Sequence, residues 1–268
     1  MTQPNLREQY QTDANLNARI ALHRLFNTNP YSWYHWSFDR YDLPPDARVL
    51  ELGCGPADLW RENAGRIPAG WDVTLTDFSE GMVAAAQRNL AETGRAFTIR
   101  QADAQELPFE TGTFDAVLAN HMLYHVPDRP RALAEIRRVL KPGGRFFAAT
   151  NGEQHMMELW RLLTPTIPDC YARSLAAAGG FTLENGPAQL EAAGFTDVVW
   201  HNYANDLAVT DVEPLIAYIQ SANTLMEHDW TEAEFDAIRA KVAAHITADG
   251  AFHIGKITGL FAARTAAD

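Results

Sequence analysis

The stretch of this sequence richest in chemistry is Glu51-Leu52-Gly53-Cys54-Gly55-Pro56-Ala57-Asp58, two glycines with an acid on either side. Gly53 and Gly55 carry no Cβ, so a ligand can lie directly against the backbone there. The dinucleotide fingerprint G-x-G-x-x-G seats a pyrophosphate on a helix N-terminus. Here its third position falls on Asp58, and Pro56 supplies no N–H. A carboxylate at that point repels phosphate, so the loop suits a ligand with adenosine but no phosphates. Glu51, at the end of a strand, faces the crevice and favours an ammonium or another cation by Coulomb attraction.

Asp77 lies 26 residues beyond Glu51. An acid ending the second strand of a Rossmann-type sheet stands where a ribose diol is held, and a carboxylate accepts both hydroxyl protons. Phe78 and Met82 follow, placed to pack on adenine. Adenosine, an ammonium and a sulfonium together describe S-adenosylmethionine. Further on, His121-Met122-Leu123-Tyr124-His125 arrives at the end of another strand. On a helix, His121 and His125 would share a face. Metal binding finds no third ligand of obvious spacing. Imidazole titrates near neutrality and can act as a general base. His125 reads as a packed histidine closing a turn before Pro127. His121 and Tyr124 are the catalytic, substrate-facing candidates.

Glu51-x-Gly53-x-Gly55-x-Ala57 resembles motif I of the class I S-adenosylmethionine-dependent methyltransferases, of the type 11, small-molecule kind, with Ala57 in place of a third glycine. Asp77-Phe78-Ser79-Glu80-Gly81-Met82 is similar to the family's D-x-S-x-x-M. Asp103-Ala104-Gln105-Glu106-Leu107-Pro108-Phe109 resembles its D-A-x-x-L-P-F. The resemblance implies that Asp103 takes the adenine amino group and that the backbone N–H of Ala104 donates to the ring. It also implies that the strand ending at Asn120 lies beside the sulfonium and the methyl acceptor. The cofactor set is then Glu51, Gly53, Gly55, Asp77, Phe78, Met82, Asp103, Ala104 and Asn120. The cofactor is S-adenosylmethionine, its product S-adenosylhomocysteine, and no metal is expected.

These residues need strands to deliver them. Val49–Leu52, Trp71–Asp77, Phe97–Arg100, Phe114–Asn120, Arg145–Thr150 and Phe195–Tyr203 read as strands from their apolar runs and glycine or proline boundaries. Asp58 reads as the N-cap of the first intervening helix, running to Gly65. Asp128 to Leu140 reads as a helix with Pro130 in its first turn. Phe252 to Ala263 reads as one last strand, antiparallel in the family. The expected fold is α/β: a Rossmann-like, doubly wound seven-stranded sheet with a helical N-terminal arm and cap insertions.

The expected organisation is an arm at 1–46, then a methyltransferase domain at 47–268 interrupted near 151–181 and 205–250. The arm holds a helix near 13–27 and Tyr31-Ser32-Trp33-Tyr34-His35-Trp36-Ser37-Phe38-Asp39-Arg40-Tyr41, in which six of eleven residues are Phe, Trp or Tyr. Those rings either pack the arm on the domain or form a lid over cofactor and substrate. Tyr31, Trp33 and Trp36, with His155 from the first insertion, are the substrate-side or lid candidates.

The chain has 34 acidic and 22 basic residues and a net charge of −12, which disfavours nucleic acid as a partner. The cluster Arg129, Arg131, Arg137, Arg138 and Lys141 reads as a solvated helix face. Two cysteines give no disulfide framework. No signal peptide opens the chain and no apolar run reaches membrane-spanning length, so a cytoplasmic enzyme free of membranes is expected. The expected reaction is methyl transfer to a small molecule, neutral or cationic, at oxygen, nitrogen or carbon. The alternatives are a non-catalytic S-adenosylmethionine-binding protein, an NAD-dependent oxidoreductase and an RNA methyltransferase. Oligomeric state stays open.

Overall fold

The structure is a computed structural model that describes residues 14–178, 180–222 and 226–267. The chain divides into two compact units. One takes Tyr31–Gly152, Gly180–Tyr203 and Thr258–Asp268; the other takes Met1–Pro30, Glu153–Gly179 and Ala204–Ile257. The helix near 13–27 and the aromatic stretch at 31–41, joined as one arm in the sequence reading, thus fall in different units.

The first unit is built on seven strands: β1 (Arg48–Leu52), β2 (Asp72–Asp77), β3 (Thr98–Gln101), β4 (Phe114–Asn120), β5 (Leu140–Asn151), β6 (Thr196–Asn202) and β9 (Thr258–Arg264). They lie in the order β3-β2-β1-β4-β5-β9-β6. The first five are mutually parallel, and β9 runs antiparallel to both β5 and β6. Both faces of β1 are covered: Val49 lies in one core cluster with Trp36, Trp60 and Leu118, and Leu50 in another with Val117, Leu133 and Phe146. The chain leaves β1 toward β2 on one side and returns as β4 on the other. The crevice beyond the carboxyl ends of β1 and β4 is therefore the switch point where open α/β sheets bind ligands.

The second unit packs the helices Ala14–Phe26, Met157–Leu163, Cys170–Ala178, Glu213–Ser221 and Glu232–Asp249 with a two-stranded antiparallel ribbon, β7 (Asn205–Val209) and β8 (Phe252–Lys256). Leu22, Leu159, Leu163, Leu215, Val242 and Ile254 meet in its core. Among the described residues no helix is long and apolar enough to cross a membrane.

Three expectations are corrected here. The run 252–263 is two strands, because Phe252–Lys256 pairs with β7 and Thr258–Arg264 with β5, with Ile257 between them. An apolar run carries no mark of a change of partner. Asp58 is not the N-cap of its helix, which spans Asp58–Glu62. That position belongs to Ala57 at φ 62°, and Asp58 lies in the first turn with Oδ1 2.5 Å from Arg61 Nη2. His121 and His125 do not share a helix face. His121 follows β4 at φ 54°, and Leu123–His125 is a single 3₁₀ turn.

Candidate functional site

The loop after β1 alternates left-handed residues: Gly53 at φ 65°, Gly55 at 54° and Ala57 at 62°. The two glycines serve different ends. A Cβ on Gly53 would lie 2.7 Å from Cβ of Met122, so this glycine lets the loop pass close to the residues after β4. A Cβ on Gly55 would meet no atom within 4 Å, so this glycine faces open space. Asp77, at the end of β2, closes that space on one side. Its Oδ2 accepts from Gly55 N at 2.9 Å and its Oδ1 from Ser79 N at 2.8 Å. Burial raises its pKa, and the backbone donors at Ser79, Gly55 and Phe78 oppose that rise. Phe78 beside it is 45% exposed, an aromatic face open to a ligand. Met82 is different: it is 2% exposed, buried on the helix Glu80–Leu90 that Ser79 caps.

Glu51 lies deeper than a crevice-facing residue would. It is 3% exposed. Trp60 Nε1 donates to Oε2 at 2.5 Å and Asn120 Nδ2 to Oε1 at 3.0 Å. Burial pushes its carboxyl up to about 7; the donors Asn120 and Trp60 pull it down, and the charge of Asp77 adds to the rise. Asn120 Nδ2 also lies 3.1 Å from the Tyr41 hydroxyl, so Tyr41, Asn120, Glu51 and Trp60 form one chain of contacts under the loop. No cation among these residues answers the carboxylate. The residues fit a cationic ligand in charge, and an adenosine in the open face at Gly55, Asp77 and Phe78.

Asp103 turns its carboxylate on its own loop, with Oδ1 accepting from Gln105 N at 2.8 Å, and Ala104 is buried. His121 N donates to Ala149 O at 3.0 Å, which ties it to the tip of β5. Its ring lies 5.1 Å from that of Trp33, centroid to centroid. Tyr124 is half-buried in the 3₁₀ turn, edge-on to His125 at 4.5 Å. The aromatic stretch forms the helix Trp33–Phe38, capped by Ser32 Oγ accepting from His35 N at 3.2 Å. Trp36, Phe38 and Tyr41 are buried in the core, and Trp33 stacks on Trp36 at 5.1 Å. Tyr31 is exposed, with its hydroxyl bonded to Asp39. His155 belongs to the other unit, where its Nδ1 accepts from Ile257 N at 3.1 Å. Among the described residues no cluster of three or more His, Cys, Asp or Glu is arranged to hold a metal.

Sequence reasoning passed over Tyr41, Trp60 and Met122. Tyr41 and Trp60 hold Asn120 and Glu51; Met122 packs where Gly53 must lack a side chain. Tyr41 and Met122 lay in stretches singled out for other residues, and Trp60 showed only as a large ring in the helix that follows the glycine loop.

The strand order, the antiparallel β9 and the glycine loop at the switch point define the class I methyltransferase fold. Residues 50–148 match the family model described as a methyltransferase domain. A ubiquinone/menaquinone biosynthesis C-methyltransferase, UbiE, of Idiomarina loihiensis is 34% identical over 128 residues, 47% of this chain and 48% of the relative. The chain thus spans about half the length of the curated relatives it matches. Among solved structures, the [4+2]-cyclase SpnF superposes with a TM-score of 0.62 at 20% identity, covering 99% of this chain and 97% of that one. Phosphoethanolamine N-methyltransferase 2 of Haemonchus contortus, in complex with S-adenosyl-L-methionine, gives 0.60 at 22% identity over 94% of this chain and 57% of its own. These two likenesses concern the fold.

Proposed function

We propose that the chain is an S-adenosylmethionine-dependent methyltransferase acting on a small-molecule acceptor. The observation that carries this is the pairing of Gly55 with Asp77: an N–H···carboxylate contact of 2.9 Å beside open space, inside the segment that matches the methyltransferase family. Asp77 keeps lone pairs for a ribose diol, and Phe78 offers a face to adenine. The loop Asp103–Ala104 supplies a carboxylate and a backbone donor for the adenine edge. Glu51 favours the ligand's cation from below through its buried charge, with Asn120 and Trp60 fixing its orientation. S-adenosylmethionine would supply the activated methyl group together with its own leaving group.

The rest of the catalysis is alignment and exclusion of water. Trp33, against His121, serves as the fixed wall of the acceptor side. His121 takes a proton where the acceptor arrives protonated, and Tyr124 helps orient it. The protein works in the cytoplasm without a nucleic-acid partner.

Calorimetry with S-adenosylmethionine, followed by turnover against a panel of hydroxyl, amine, carboxylate and carbon acceptors, tests the proposal. Binding plus formation of S-adenosylhomocysteine is the expected result. Binding without turnover across the panel would favour a non-catalytic binding protein, and preference for NADH would overturn the reading.

A further inference from the structure

The basic cluster at 129–141 is not uniformly a solvated face. Arg131 Nη2 lies 3.2 Å from Glu106 Oε2, Arg138 Nε 2.7 Å from Glu135 Oε1, and Lys141 Nζ 2.7 Å from Asp115 Oδ1. Arg137 is exposed and pairs with no carboxylate among the described residues. Arg129 is different: it is half-buried, and among the described residues it has no hydrogen bond and no ion pair, with its Nε buried without a partner. Burial alone acts on its titration, with no carboxylate to offset it. Its guanidinium lies so close to the backbone of Gly180 that a Cβ there would overlap Nη2.

Its place in the fold is informative. Arg129 opens the helix Arg129–Val139, directly after the turn that leaves β4. Phe181, next to Gly180, accepts from Thr150 Oγ1 at 2.6 Å, and Leu183 N donates to Asn151 O at 3.2 Å. Thr150 and Asn151 end β5, and Ala149 just before them is bonded to His121 N. The guanidinium therefore sits at the carboxyl ends of β4 and β5, on the acceptor side of the crevice. An arginine cannot shed its charge to relieve burial. A half-buried guanidinium with no counter-charge is a cost to the fold that an incoming oxyanion would remove, through paired N–H···O contacts.

We propose that Arg129 is a specificity-determining residue that binds an oxyanion, carboxylate or phosphate, carried by the methyl acceptor. This rests on the reading of the chain as a methyltransferase. It narrows the acceptor from the neutral or cationic molecule suggested by whole-chain charge to one with a local anionic group. The net charge of −12 is a property of the whole surface, whereas recognition is decided by the few groups at the crevice.

Two measurements test it on the full chain. The arginine Nε–H resonances are followed by nitrogen-15 NMR during separate titrations with inorganic phosphate and with acetate. One resonance should shift saturably with at least one anion and be lost in Arg129→Gln, and the anion that acts names the source. If the same shift persists in Arg129→Gln, or if neither anion shifts the Arg129 signal, the proposal is overturned. Turnover is then compared between acids in the acceptor panel and their amides. The wild type should prefer the acid, and Arg129→Gln should raise KM for it about ten-fold or more. That variant should keep the kcat and the S-adenosylmethionine affinity, with partial recovery in Arg129→Lys. Equal use of acid and amide by the wild type would overturn the assignment. Failure of the wild type to bind S-adenosylmethionine would sink the proposed function instead, while the anion titration would still decide the role of Arg129.

Discussion

Asn120 Nδ2 lies 3.0 Å from Glu51 Oε1, joining the last residue of β4 to the strand end beneath the glycine loop. With Trp60 on the other oxygen, the Glu51 carboxylate is held in place, and among the described residues no cation lies beside it. That arrangement makes pH a direct probe of the site.

Burial lifts the Glu51 carboxyl from 4.5 to about 7. Between those values the folded chain holds a proton that the unfolded chain has lost. This group's contribution to stability therefore falls as pH rises from 4.5 to about 7. Urea unfolding across that window should show the decline in the wild type and a flatter profile in Glu51→Gln. A cationic ligand lowers the pKa of Glu51, so S-adenosylmethionine binding should release protons at about pH 6.5. Calorimetry in buffers of different ionisation enthalpy measures the release, and proton uptake would contradict the placement of a cation near Glu51.

The two glycines of the loop should respond differently to alanine. Gly55→Ala should cost the fold about 1–2 kcal/mol for its left-handed backbone and weaken S-adenosylmethionine binding. Gly53→Ala adds a collision with Met122, a further ~1–3 kcal/mol. Denaturant midpoints should therefore rank Gly53→Ala below Gly55→Ala. Unchanged ligand affinity in folded Gly55→Ala would mean that the backbone does not approach the ligand.

Asp77→Asn keeps the shape of the side chain and an oxygen for Gly55 N or Ser79 N. It should lose about 1.5–3 kcal/mol of S-adenosylmethionine affinity, the worth of hydrogen bonds to a charged group. An equilibrium titration that finds wild-type affinity would remove the ribose assignment.

Trp36, Phe38 and Tyr41 are part of the core, so deleting the aromatic stretch would test folding rather than a lid. Trp33 is the informative position because it is half-buried and faces His121. Trp33→Ala should lower kcat/KM for the acceptor while the S-adenosylmethionine affinity and the unfolding cooperativity stay close to wild type. Trp36→Ala should instead destabilise the chain by about 3–5 kcal/mol.

His121→Ala should lower kcat by about 10²-fold or more if the imidazole acts as a base, with S-adenosylmethionine affinity nearly intact. Collapse of that affinity with unchanged turnover at saturation would make His121 a cofactor residue.

The sequence by itself determined the strands that carry the site. β4 spans the same residues, Phe114–Asn120, that the apolar run marks, and the last strand is antiparallel as the family resemblance implied, though it begins at Thr258 and not at Phe252. The glycine loop and Asp77 were legible because their chemistry is local: a missing Cβ, an acid at a strand end. Tertiary structure decided what depends on partners distant in the chain. Glu51 is buried because Trp60 and Asn120 satisfy it, and Met82 is buried where spacing alone suggested contact with a ring. The run at 252–263 divides because two different strands claim its halves. Arg129 looks in the sequence like the cations around it. What sets it apart is burial with no opposing carboxylate among the described residues, a property no spacing along the chain encodes.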